Sequence, residues 1–123
     1  MCDIDHFKKV NDQYGHEVGD QVLVRFVNSI KSCLRKIDVY ARWGGEEFIV
    51  LLPQTRLDEA KVVAENLRQC IAAIKTELDF QLTCSFGVTQ LHADEDVLPL
   101  IKRADDALYQ AKHASRNCVF VIE

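Results

Sequence analysis

The chain has 123 residues, enough for one domain with a real core and no more. An apolar content of 48% and a charged content of 28% describe an ordinary soluble globular protein, and a net charge of −4 excludes nonspecific nucleic-acid binding, which wants a basic face. No apolar run approaches the ~20 residues that span a membrane, and no signal peptide is visible. The segment is therefore expected to be cytoplasmic and to make no membrane contact, while a tether in a longer parent protein would lie outside these residues. The five cysteines are scattered, odd in number and without a Cys-x-x-Cys pair, so they read as reduced core thiols rather than disulfide or zinc ligands.

In chain order, Met1 to Asp5 reads as the tail of a strand, as if the chain were cut from a larger protein just inside its first strand. A short helix is predicted from His6 to Tyr14, ending at Gly15. A longer helix follows from Glu17 to Lys36, because Val18, Val22, Phe26, Ile30 and Leu34 recur every four residues. Next come two β-prone runs, Asp38 to Arg42 and Phe48 to Leu52, joined around Gly44-Gly45. That reads as a hairpin whose tight turn needs positive φ and presents Glu46 and Glu47 at an exposed tip. Thr55 and Asp58 resemble a capping box opening a helix through Ala60, Ala64, Leu67 and Ile71. Phe80 to Val88 alternates with strand period. A helix over Val97 to Ala114 and a strand over Cys118 to Ile122 complete one α+β domain with helices on a mainly antiparallel sheet.

The acids carry the first chemical signal. Asp3 and Asp5 lie where a strand becomes a loop, and pairing of the hairpin beside that strand would bring Asp3, Glu46 and Glu47 together. Three such carboxylates repel one another, and a hard divalent ion such as Mg²⁺ removes the conflict. The plainer reading is that Asp5 caps the short helix and the glutamates are solvated. The cations carry the second signal. Lys8 follows the acidic loop, and Lys112 and Arg116, four apart, are expected to share a helix face and to hold a triphosphate. Asn11 and Asp20 have the donors and acceptors that read a purine edge. Each of these is also an unremarkable surface or helix-end residue when taken alone.

The joint pattern decides between these readings. Asp3-Ile4-Asp5-His6-Phe7-Lys8-Lys9-Val10-Asn11-Asp12, Tyr14-Gly15-His16, Gly19-Asp20, Gly44-Gly45-Glu46-Glu47-Phe48, Ser85-Phe86-Gly87, Ala104 to Lys112 and Arg116-Asn117 occur in this order. Over essentially its whole length the chain resembles the GGDEF family of bacterial diguanylate cyclases, in a Gly-Gly-Glu-Glu-Phe form. The resemblance implies a palm-like α+β fold of the ferredoxin-like, nucleotidyl cyclase type. Residues 1–123 would be a single GGDEF domain without the N-terminal helix and Asn-Arg motif that family members carry upstream.

The resemblance also implies condensation of two GTP into cyclic di-GMP and pyrophosphate across a homodimer, with two Mg²⁺ ions per site or Mn²⁺ in their place. Metal ligation is expected from Asp3, the Ile4 carbonyl, Glu46 and Glu47. Glu47, Glu46 and Lys8 are expected to serve the chemistry, and Phe7, Lys8, Asn11, Asp20, Lys112 and Arg116 to hold substrate. Arg35 and Asp38 form an Arg-x-x-Asp placed five residues before Gly44, which matches the family's product-inhibition site, with Arg42 as a further contact. Asn66 stands where many members carry an inhibitory-site Arg, and Ser115 where glycine is usual. The alternative is a non-catalytic receptor for cyclic di-GMP or GTP that signals to a partner domain.

Overall fold

A computed structural model describes all residues, 1–123. The elements are β1 (Cys2–Ile4), α1 (Phe7–Tyr14), α2 (His16–Cys33), β2 (Val39–Gly44), β3 (Glu47–Leu51), α3 (Leu57–Ala72), β4 (Cys84–Val88), α4 (Val97–Ala114) and β5 (Val119–Val121). The strands form one sheet in the order β2-β3-β1-β4-β5. All neighbours are antiparallel except β4 and β5, which run parallel with α4 as the crossover between them. No helix is long and apolar enough to cross a membrane.

Side-chain alternation sorts the layers. Cys2 and Ile4 on β1, Phe48 on β3, and Cys84 and Phe86 on β4 point to one face. There they join Phe26 and Ile30 of α2 and Leu67 and Ile71 of α3 in the main core. Phe26 and Phe48 meet at 4.8 Å between ring centroids, tilted by 47°, and each such buried ring contributes on the order of 2 kcal/mol by desolvation. The opposite face of the sheet carries Asp3, Ser85 and Gly87. Helix α4 lies close against it, because Gly87 has no side chain. A Cβ there would stand 2.2 Å from the Leu108 nitrogen and 2.5 Å from the Ala104 oxygen. Ala104, Ala107, Leu108 and Ala111 are the buried stripe of α4.

Several sequence expectations shift, each for a visible reason. Helix α1 starts at Phe7, since His6 takes a left-handed conformation with φ 55°. Helix α2 stops at Cys33 rather than Lys36. The Asp38 carboxylate accepts from the Arg35 backbone N–H at 2.8 Å, and Arg35 O accepts from Asp38 N at 3.1 Å, so a side-chain-closed turn replaces the next helical turn. The hairpin strands run on to Gly44 and restart at Glu47, so the turn is Gly45-Glu46, with Gly45 at φ 55°. Glu47 is thus a half-buried strand residue, and Glu46 is also half-buried rather than at an exposed tip.

Thr55 does not cap α3. Arg56 is the N-cap, and Glu59 Oε2 accepts from its backbone N–H at 2.9 Å. The strand expected from Phe80 shrinks to Cys84–Val88, because β1 pairs no further than Ile4 with Cys84 and the preceding residues have no partner strand. The bounds of α4 agree with those read from the sequence.

Candidate active site

Antiparallel pairing of β1 with β3 sets Asp3 directly opposite Glu47, so their side chains emerge on the same face, where α4 passes. The Ile4 N–H donates to Glu46 O at 3.2 Å, which fixes the hairpin turn beside the end of β1. From α4, the Lys112 ammonium bridges the acids, 2.5 Å from Asp3 Oδ2 and 3.8 Å from Glu47 Oε1. Burial comes first for Asp3 and pushes its pKa up to about 6. Lys112 pulls the other way, and the charges of Glu46 and Glu47 add to the rise. Burial opposes the charge on Lys112, yet the hydrogen bond and charge of Asp3, with Glu47 and Glu46, outweigh it and raise the lysine's pKa. Glu46 lies close enough for its charge to act on Asp3 and Lys112 and also lines a neighbouring cavity, but no three acids gather as a preformed metal cage.

That cavity, about 440 Å³, is polar and is walled by Phe7, Lys8, Asn11, Asp20, Arg42 and Glu46. Helix α1 supplies the first three from one short segment, and α2 supplies Asp20. Asn11 Oδ1 is buried without a hydrogen-bond partner, the one such side-chain atom in the chain. Gly19 makes room for it, since a Cβ at Gly19 would lie 1.9 Å from Asn11 Oδ1. A buried acceptor left unpaired costs about 1–3 kcal/mol, which sets Asn11 apart from every other buried polar side chain in the structure. His16, part of the Tyr14-Gly15-His16 motif but given no role there, lines the same cavity. A larger apolar groove of about 640 Å³ runs between β3, α3 and α4, but it holds no convergent charge and lies away from the acids.

Arg116 does not share a helix face with Lys112. Helix α4 ends at Ala114, and Arg116 and Asn117 both sit in left-handed conformations, with φ 52° and 44°. Ser115 needs no glycine-like freedom, its φ being −150°. What holds this turn is Asp5, which is 4% exposed. Its carboxylate accepts from Asn117 N–H at 2.9 Å, Thr83 Oγ1 at 2.7 Å and Ser85 Oγ at 2.6 Å. It caps no helix. The Asp-Ile-Asp spacing marked Asp5 as an acid near the site, but its partners are far away in sequence.

Arg35 forks onto Asp38, with Nη2 to Oδ1 at 2.7 Å and Nε to both carboxylate oxygens, and its Nη2 also donates to Pro53 O and Thr55 Oγ1. The guanidinium holds the Asp38 carboxyl below its usual range. Arg42 stands apart from this pair. It donates through Nε to Gly45 O at 2.7 Å, bracing the hairpin turn, and lines the polar cavity.

The fold and the site together define a class: a palm-like α+β domain with acids of two adjacent central strands, a bridging lysine and a polar cavity beside them. A family model described as "Diguanylate cyclase, GGDEF domain" matches residues 1–118, and the chain belongs to that family. It is 45% identical over 119 residues to the diguanylate cyclase DgcM of Escherichia coli, covering 97% of this chain and 29% of that protein. It is 40% identical over 125 residues to the response regulator PleD of Caulobacter vibrioides, covering 97% of this chain and 28% of that one.

Among solved structures, the active GGEEF domain of a diguanylate cyclase from Vibrio cholerae superposes with a TM-score of 0.91 at 36% identity, over 99% of this chain and 80% of that one. The GGDEF domain of DgcB from Caulobacter crescentus, solved with c-di-GMP, superposes with a TM-score of 0.92 at 31% identity, over 98% and 74%. The chain spans about three tenths of the length of the two named relatives.

Proposed function

We propose that this domain is a diguanylate cyclase that joins two GTP molecules into cyclic di-GMP. The observation that carries the reading is the Asp3–Lys112–Glu47 cluster set beside a polar cavity that contains an unpaired buried acceptor. Membership of the GGDEF family supports the same chemistry. Asn11 and Asp20 hold the guanine: Asp20 accepts from ring N–H donors, and Asn11 Oδ1 gains the donor it lacks. Lys8, Lys112 and Arg116 hold the phosphates, and Phe7 packs at the cavity wall. Glu47 takes the proton of an attacking 3′-hydroxyl, and Glu46 supports the charge balance beside it. The new bond joins that oxygen to the α-phosphorus of the second GTP, the bond from that phosphorus to its bridging oxygen breaks, and pyrophosphate leaves. The same step in the opposite sense, from the 3′-hydroxyl of the second nucleotide to the α-phosphorus of the first, closes the ring and releases a second pyrophosphate.

The acids fit a divalent cation by their chemistry. Asp3 is desolvated and crowded by like charge, and a lysine relieves it in the structure described. Asp3, the Ile4 carbonyl, Glu46 and Glu47 would hold Mg²⁺, two ions per site with Mn²⁺ as substitute, and the metal supplies charge neutralisation at the α-phosphate and the leaving pyrophosphate. One chain has one such cavity, whereas the product needs two nucleotides face to face, so the working form is a two-fold homodimer. Product inhibition is assigned to Arg35 and Asp38. Because Arg35 already occupies the Asp38 oxygens, cyclic di-GMP has to share or displace that ion pair. Arg42, against the hairpin turn, is better placed to touch the substrate side. The protein incubated at high concentration with GTP and Mg²⁺ should yield cyclic di-GMP and pyrophosphate by mass spectrometry. GTP binding without any product would overturn the enzymatic reading in favour of a receptor.

A further inference from the structure

The cysteines are not all isolated core thiols. Cys33 is the last residue of α2, and its Sγ donates to Cys70 Sγ of α3 at 2.9 Å, across 37 residues of sequence. Both residues are half-buried, so small molecules have a route to them. The pair is one short side-chain movement from bonding, because a disulfide needs about 2.05 Å between sulfurs. The other neighbouring thiols, Cys2 and Cys84, are 1% and 0% exposed behind the sheet, and Cys118 Sγ is turned to the Ala111 carbonyl instead of a thiol. One accessible dithiol therefore remains.

We propose that Cys33 and Cys70 form a redox modification site, closed by a low-molecular-weight disulfide into a reversible cross-link between α2 and α3. One protein thiolate attacks the oxidant's S–S bond, forming a mixed disulfide and expelling one small thiol. The second protein thiolate then attacks the protein-side sulfur, forming the Cys33–Cys70 bond and expelling the second small thiol. Two protein thiols are oxidised, one small disulfide is reduced to two thiols, and the two protons pass to them. Either sulfur can open the sequence, because the two lie side by side and both are half-buried.

The closed link has a structural reach. Arg35 lies two residues past Cys33, in the turn closed by Asp38. Arg68 lies two residues before Cys70, and its Nη1 donates to Asn117 Oδ1 at 2.8 Å, next to Arg116. A bond between the cysteines anchors the end of α2 and the turn that follows it. Any effect on cyclic di-GMP rests on the inhibitory-site reading above, so the test avoids nucleotide.

The protein is treated with oxidised glutathione, alkylated, digested with trypsin without reduction and mapped by mass spectrometry. The expected product links the peptide Ser32–Arg35 to Gln69–Lys75, with a mass loss of two hydrogens that dithiothreitol reverses. Oxidation should raise the melting temperature by about 5 °C or more and slow amide exchange over residues 34–38. Cys33→Ser and Cys70→Ser, both conservative at half-buried positions, should each abolish the link and the shift. A stable glutathione adduct on one cysteine with no cross-link, or a Cys2–Cys84 link in its place, would overturn the proposal.

Discussion

Asn11 and Gly19 act as a pair, because the absent Cβ of Gly19 is what leaves Asn11 Oδ1 in its buried position. Gly19→Ala should raise KM for GTP about tenfold, the worth of roughly one hydrogen bond, with kcat less affected and the fold retained by circular dichroism. Glu47→Gln preserves the strand pairing with Asp3 but removes the proton acceptor. Turnover should fall about 10²–10⁴-fold at unchanged melting temperature, and an undiminished rate would remove Glu47 from that role. Legibility at this scale follows sequence distance. Asp3, Asn11, Glu46 and Glu47 announce themselves because each sits in a compact motif. Asp5 does not, because its partners Thr83, Ser85 and Asn117 are 78, 80 and 112 residues away. The position of the turn at Gly45-Glu46, which leaves Glu47 as the first residue of β3, was equally hidden, since the strands run further than their apolar runs.

Among the elements, α4 has most to lose from a small change. Gly87→Ala would place a methyl group against the backbone of Leu108 and Ala104, atoms that cannot rotate away. Overpacking of this kind should cost about 3 kcal/mol, measured by urea denaturation. The segment leading into α4 is held by Arg103, which forks onto Glu95 at 2.5 and 2.8 Å and donates to Thr89 Oγ1 and Gln90 O. Arg103 holds the Glu95 carboxyl down at about 2 from a usual 4.5. A depressed folded pKa contributes stability that is present above the unfolded value and is lost as pH falls towards the folded one. Glu95→Gln should therefore melt a few degrees below the parent at pH 7, and thermal scans should converge as pH drops from about 4.5 to about 2. The helices were readable because apolar residues recur on one face, and α4 was readable to its ends. The end of α2 and the start of β4 were not, because α2 is stopped by a carboxylate five residues beyond it and β4 is trimmed by the shortness of β1, neither of which is visible in local periodicity.

For the whole molecule, the sheet order brings residues 3, 47 and 112 to one point on the strand ends, and the palm-like class was legible because strands and helices follow one another without linkers. The apolar groove between β3, α3 and α4 was not legible, because its lining is drawn from segments far apart in sequence. If two chains must face each other, specific activity should rise with protein concentration until dimers dominate. A specific activity constant over a hundredfold dilution, with monomer confirmed by light scattering, would contradict the two-chain requirement. Asp5 matters most at this scale. One buried carboxylate ties the loop after β1, the residues around the start of β4 and the turn that carries Arg116. Asp3, two residues before Asp5, and Arg116, one residue before Asn117, are thus held in a fixed relation when the chain folds. Under the cyclase reading, that leaves the meeting of two copies as a step an on-signal can set, alongside the off-switch proposed at Arg35 and Asp38.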